Sequence, residues 1–393
     1  MIKKSLIEIL FKAFSIERWN DKLRPIDLTQ MDKHAHKMII AYCLGKYEEE
    51  AGVDFVWGDI IKGGIYELIR RSVISDIQSP VYREISKNKP LLAKLNYMIF
   101  KEVEPKFSNE EIKKEFENYL LDENYLHPHS RRILDAAHKY ATFWEFKIVK
   151  NANPDGFKID KIALDLGNEI ESFNDLHGIK RISKQNNIKN FIDLCGELRY
   201  QIRWGHLPRI PRTSVLGHVM LVATISYFLT KELKEPCSKR VYNNFFGALF
   251  HDLPEVVTRD IIKPVKRSVP GMQEEIRKIE MKLAEEEIYP LIEKEWIPEI
   301  KFFTQDEFTS KILDGKIVLA DDISLKYNKN EFNPYDGALL KAADDFGAFL
   351  EAFSSIEFGI RSNELELAKT SIKSKYENVT ISGIEVSKLF TEF

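Results

Sequence analysis

The stretch VYNNFFGALFHDLPEVVTRD, residues 241–260, decides the fold and opens the route to function. An apolar run at helical spacing ends on the adjacent pair His251 and Asp252, and Pro254 is placed to restart a helix at its first turn. Glu255 and Asp260 follow. Imidazole beside carboxylate offers one borderline and one hard ligand, which suits divalent transition metals, and spare carboxylates near such an ion supply acid/base groups. The pattern points to a hydrolase built on packed helices.

The neighbouring segments read the same way. VLGHVMLVATISYFLTKEL, from Val215, is apolar on most faces and is opened by Ser214 as an N-cap, so it predicts a buried helix. MQEEIRKIEMKLAEEEIYPLIEKE, from Met272, predicts a surface helix with one buried stripe through Ile276, Ile279, Leu283 and Ile288. Alternating strand patterns are scarce and βαβ units are absent. The expectation is an all-α fold.

The chain also resembles itself. RWNDKLRPIDLTQMDKHAHKMIIAYCL, from Arg18, recurs as RWGHLPRIPRTSVLGHVMLVATISYFL, from Arg203. His34 then pairs with His218, Gly63 with Gly247, Asp76 with Asp260 and Pro80 with Pro264, and ILDAAHKYATFWEF from Ile133 lies over LLKAADDFGAFLEAF from Leu339. Two tandem helical bundles are expected, 1–182 and 183–393, joined through the basic, polar GIKRISKQNN at 178–187. Residues 4–17 and 188–202 read as the helices that lead into each Arg-Trp pair.

Composition sets bounds. The 393 residues are 44% hydrophobic and 30% charged, enough for two cores, and the net charge of −3 gives no footing for a nucleic-acid partner or an anionic lipid surface. Cys43, Cys195 and Cys237 are odd in number and widely spaced, which suggests core residues in a reducing, cytoplasmic setting. MIKKSLIEILFKAF reads as an amphipathic first helix, and no run approaches the roughly 18 apolar residues of a membrane span. A small-molecule partner fits best, with homo-oligomerisation open.

Four polar residues stand in apolar surroundings: His218 among Val215, Val219 and Val222, His251 and Asp252 at a helix end, and Asp344 among Leu340, Ala343 and Phe346. Taken singly, a hydrogen-bonded core histidine or a salt-bridged aspartate would account for each. One ion accounts for all four together. Asp345, Asp321 and Asp322 occupy similar contexts and are alternatives for the fourth ligand.

His, then His-Asp, then a late Asp in a helix resembles the HD-domain phosphohydrolases, most closely the bacterial 5'-deoxynucleotidase branch, over roughly residues 190–370. The resemblance implies an all-α fold that binds one divalent ion (Mn, Co, Ni, Fe, Zn or Mg) through His218, His251, Asp252 and Asp344. It further implies acid/base roles for Glu255 and Asp260, and a nucleotide substrate held by Arg203, Trp204, Thr258 and Lys263. Arg209, Arg212 and Lys266 would add positive potential. Two departures stand out: Gly217 occupies a place where the family often has a carboxylate, and PLIEKEWIPEIKFFTQDEF is inserted before the last ligand.

Carried through the repeat, the four ligand positions become His34, Glu67, Leu68 and His138, and Glu255 becomes Arg71. Leucine cannot coordinate a metal, so the first half reads as a copy that has lost its ion. A rebuilt site of His34, His36, Glu67 and His138 is the rival, and a half that binds nucleotide without hydrolysing it is a third option. For the whole chain, the leading expectation is hydrolysis of nucleoside 5'-monophosphates, deoxyribonucleotides above all, to nucleoside and phosphate. Hydrolysis of triphosphates or cyclic nucleotides, or a non-catalytic nucleotide-sensing scaffold, are the alternatives.

Overall fold

Two long buried helices, Gln30–Glu50 and Val215–Glu232, frame the molecule, and both start in the same way. The Thr29 hydroxyl accepts from the Asp32 amide and the Ser214 hydroxyl from the Gly217 amide, each satisfying one of the free donors of a helix N-terminus. An isolated antiparallel bridge precedes each helix, Glu17 with Thr29 and Ile202 with Ser214. The structure is a computed structural model that describes residues 2–393 apart from Asp76, Gln78, 260–268 and Asp321, and apart from the side chains of 79, 80 and 83.

Each framing helix packs against a following helix, Trp57–Val73 or Ser238–Phe250, and a later long one, Pro128–Ala152 or Gly337–Glu357. Helices dominate. The strands described are two short antiparallel hairpins, Ser310–Asp314 with Lys316–Ala320 and Thr380–Ile381 with Ile384–Glu385. The all-α expectation is therefore borne out.

The structure corrects several details. GIKRISKQNN is no bare linker: the helix His177–Lys184 runs through it and buries Gly178, Ile179 and Ile182. A Cβ on Gly178 would lie 2.6 Å from Leu44 Cδ2, so only a glycine lets this helix lie so close on Gln30–Glu50. The lead-in helices are shorter than expected, Lys4–Lys12 and Asn186–Glu197, the latter followed by a 3-10 turn at Leu198–Tyr200. The surface helix from Met272 ends at Leu283, becomes a π turn at Ala284–Ile288 and gives way to a 3-10 turn at Tyr289–Leu291, where Pro290 supplies no amide donor. Ile279 lies on the exposed side of it.

Nor are there two separate cores. The main apolar cluster draws on residues from Ile2 to Phe390, across both halves. The physical cause is legible in the framing helices: each is buried on nearly every face, so each must cover the other as well as its own bundle. Tyr42 packs on Phe246 and Phe250 at ring distances of 5.2 and 4.9 Å, and Trp57 packs on Tyr242 at 5.1 Å.

Candidate metal centre

Three helices of the second half converge on one point. Val215–Glu232 contributes His218 from its first turns, the C-terminal end of Ser238–Phe250 delivers His251 and Asp252, and Gly337–Glu357 contributes Asp344. Ligand atoms of His218, His251 and Asp252 all lie within 4.8 Å of one another. Asp344 Oδ1 is 2.9 Å from His218 Nε2 and 4.0 Å from His251 Nε2, while Asp252 Oδ1 is 3.3 Å from His251 Nε2. Donors about 2.1 Å from one ion sit about 3.0 Å apart when adjacent and about 4.2 Å when opposite, so these separations suit a shared ion.

Hydrogen bonding supports the fit. His251 Nδ1 donates to the Ala248 carbonyl at 2.7 Å, which leaves Nε2 as a buried lone pair with no hydrogen-bond partner. A buried acceptor without a donor is costly, and a cation relieves it. Burial would raise the Asp344 carboxyl, but Lys341 at 2.8 Å and His218 hold it well below the usual carboxylate range. Two imidazoles and two carboxylates form a donor set for a divalent ion of the borderline class.

Behind His218 stands a residue that the sequence reading passed over. Glu351, fully buried, places Oε1 at 3.7 Å from His218 Nδ1, so that its charge faces the ring although Nδ1 itself has no hydrogen-bond partner. It also accepts from Arg203 Nε at 3.1 Å, Trp204 Nε1 at 2.8 Å and the Thr213 hydroxyl at 2.7 Å. Burial pushes its carboxyl up, but Arg203 and Arg209 more than offset this and bring it to about 2. Arg203 in turn reaches Asp252 at 3.8 Å. The Arg-Trp pair thus lies beside the candidate ligands, with Trp204 in a left-handed conformation at φ 58°.

The other expected residues divide. Asp345 is turned to Lys341, Lys375 and Tyr376, and Asp322 bonds Ser382, so neither competes with Asp344. Glu255 opens the short helix Glu255–Thr258 directly after the His-Asp pair, half-buried. Thr258 donates its hydroxyl to the Pro254 carbonyl within that turn. Asp260, Lys263 and Lys266, like Asp321, fall outside the described residues. Arg209 is buried and spent on the backbone carbonyls of Arg203 and Glu351, while Arg212 is exposed. Glu307, from the inserted segment, was also missed: burial, aided by Asp252, raises its carboxyl beside the ligands. Gly217 has a steric reason, since a Cβ there would lie 2.5 Å from Phe14 and 2.8 Å from Asp32 of the first half.

The corresponding place in the first half is built differently. Counted from the capping residues Thr29 and Ser214, the position of His218 is held by Lys33, not by His34 as residue identity suggested. Lys33 Nζ contacts the ring of His138, much as His218 meets Asp344. Arg18 and Trp19 bond Glu145 at 2.8 and 3.2 Å, repeating the Arg203, Trp204 and Glu351 arrangement, and Trp19 also has a positive φ of 55°. Glu67 is taken by Arg70 and Arg71. His36 turns away to the Ile192 carbonyl, so the rival set of His34, His36, Glu67 and His138 is not brought together.

Comparison with known proteins agrees with the second-half geometry. Residues 195–372 match a family described as HD domain. A 5'-deoxynucleotidase of Yersinia pseudotuberculosis is 23% identical over 189 residues, covering 48% of this chain and 83% of the relative. A 5'-deoxynucleotidase of Yersinia pestis is 23% identical over 188 residues, covering 47% and 82% respectively. Among the described residues no helix is long and apolar enough to cross a membrane. Residues 195–372 are an HD domain, and the chain is similar to bacterial 5'-deoxynucleotidases.

Proposed function

We propose that the second half is a metal-dependent phosphomonoesterase for nucleoside 5'-monophosphates, deoxyribonucleotides among them, and that His218, His251, Asp252 and Asp344 hold its ion. The observation that carries this reading is the convergence of His218, His251 and the part-buried Asp252, with Asp344 Oδ1 2.9 Å from His218 and with an imidazole nitrogen of His251 that has no hydrogen-bond partner. A divalent ion there supplies Lewis acidity, lowering the pKa of water and polarising a phosphoryl oxygen.

This chain's own side chains do the rest. Arg203, fixed through its Nε by Glu351, turns the remainder of its guanidinium toward Asp252 and so toward the ion's position, where it would neutralise phosphate oxygens. Trp204, pinned by its indole N–H, offers a flat face to a sugar or base. Glu255 and Asp260 are assigned the proton transfers, each of which is worth about 10²- to 10⁴-fold. Thr258 and Lys263 are assigned to substrate. Asp252→Ala is expected to abolish both metal content and phosphate release. Phosphate release persisting at the parental rate would refute the assignment.

One feature favours a second reading. A cleft of about 540 Å³ lies against Arg203, walled by Ile202, Leu207, Ile210 and Ile360 with Arg212 at its edge, and has room for more than a monophosphate. Hydrolysis of a nucleoside triphosphate or cyclic nucleotide at the same site would use it. Product analysis separates the readings: nucleoside and phosphate for the first, triphosphate or linear monophosphate for the second.

A further inference from the structure

The first half buries a concentration of positive charge that the second-half site does not use. Lys33 is 0% exposed and Lys37 3%. Lys33 meets only the His138 ring, and among the described residues no carboxylate lies within ion-pair distance of either ammonium. Other nitrogens nearby are buried without hydrogen-bond partners: both of His34, Nε of Arg70, and Nε and Nη2 of Arg131. Glu67 is shared between Arg70 and Arg71, and Glu145 between Arg18 and Arg199. Glu67 and Glu145 are therefore already committed, and Asp135 acts on Lys37 and Arg131 only from beyond ion-pair distance.

Burial, and then Arg18 and Lys37, press Lys33 well below the ordinary lysine range, and burial with Lys33 and Arg71 does the same to His138. Like charges gathered out of water, with donors left over, mark a place that an anion would relieve. The cluster occupies the same position among its three helices as the candidate metal centre does among its own. Arg18, Trp19 and Glu145 repeat the second-half clamp beside it. Arg18 and Arg71 keep 16% and 19% of their side chains exposed, so the cluster is not sealed.

We propose that the first half binds the phosphate group of a phosphomonoester, with the Lys33 ammonium standing where the second half would hold its ion and with Lys37 and Arg71 as further donors. It holds this group without hydrolysing it. Leu68 replaces the ligand Asp252 and Arg71 the carboxylate Glu255, so neither an ion nor a base is at hand. The proposal is independent of what the second half hydrolyses.

The test uses the full chain carrying Asp252→Ala, stripped of metal with a chelator so that the second site lacks its ion and cannot turn the ligand over, and Lys37→Met then separates first-half binding from any left in the second. Inorganic phosphate and a nucleoside 5'-monophosphate are titrated separately by calorimetry. One saturable site per chain is expected, weakened at least about tenfold by Lys37→Met. Tighter binding of the nucleotide identifies a nucleotide as the source of the phosphate group, and equal binding identifies free phosphate. Absence of saturable binding, or undiminished affinity in Lys37→Met, overturns the proposal. Should Lys37→Met fail to fold, Tm of the Asp252→Ala chain decides. A rise that saturates with phosphate but is absent with chloride at equal ionic strength supports the site, and no rise overturns it.

Discussion

Glu351 shows how one buried carboxylate serves both stability and chemistry. It neutralises Arg203 and Arg209, pins Trp204 and Thr213, and stands behind His218. Glu351→Gln keeps the shape and removes the charge, taking the shared carboxylate from Arg203 and Arg209 and leaving Arg203 with Asp252 at 3.8 Å. Breaking such a buried arrangement costs about 3–5 kcal/mol, and losing the support of a metal-binding histidine weakens metal affinity about 10- to 100-fold. Urea unfolding and a metal titration measure both; parental values in each would reject the role. The carboxyl lies near 2 in the folded chain against an ordinary 4.5, so its contribution is complete above pH 4.5 and is lost as pH falls toward 2. That shift corresponds to about 3 kcal/mol, and the Gln variant should lack this part of the acid sensitivity. The four candidate ligands were legible because each is a polar residue in an apolar context. Glu351 sits in the same kind of context within GAFLEAF, but no adjacent polar residue drew attention to it. Lys33 was hidden for another reason. Matching by identity aligns histidine with histidine, whereas the capping hydroxyls of Thr29 and Ser214 set the true helical register.

At the scale of elements, the helix Gly337–Glu357 matters most, because it carries both Asp344 and Glu351. Its first residue lies against the chain at Thr309. A Cβ on Gly337 would sit 2.3 Å from the Thr309 carbonyl oxygen, 2.4 Å from its carbon and 2.5 Å from its nitrogen, all backbone atoms that cannot swing aside. Gly337→Ala must therefore displace the helix, at about 1–3 kcal/mol or more, and draw Asp344 away from the histidines. Gly359→Ala is the control: its φ of +87° strains any side chain, yet nothing lies within 4 Å of the new Cβ. The expected result is lower stability in both but weaker metal binding only in Gly337→Ala. Equal metal affinity in the two would show that this contact does not set the helix position. Sequence periodicity found the long helices because their apolar patterns repeat over several turns. It missed the hairpin at Ser310–Ala320, where five-residue strands give too little alternation, and the π turn at Ala284–Ile288, which differs from an α-helix by one residue in its hydrogen bonding.

For the whole molecule, the repeat in the sequence suggested two separable domains, whereas the packing joins the halves. Tyr42 and Trp57 of the first half cover Phe246, Phe250 and Tyr242 of the second, and Ser214, which caps the helix of His218, also donates its hydroxyl to Asp32. Phe14 and Asp32 fill the space beside Gly217. The three second-half rings each bury about 150–250 Å², and uncovering half of that total costs on the order of 7 kcal/mol at about 25 cal/mol per Å². Net stability of a folded chain is only about 5–15 kcal/mol, so the loss is comparable to the whole. Residues 183–393 expressed alone should therefore fail to fold as a monomer, although they span the full HD domain, and the intact chain should unfold in one transition. Circular dichroism of the fragment and differential scanning calorimetry of the full chain check this. A fragment with native helicity and its own cooperative melt would show that the shared core is dispensable. In that case the first half would be present for its own binding chemistry and not as a structural partner to the second.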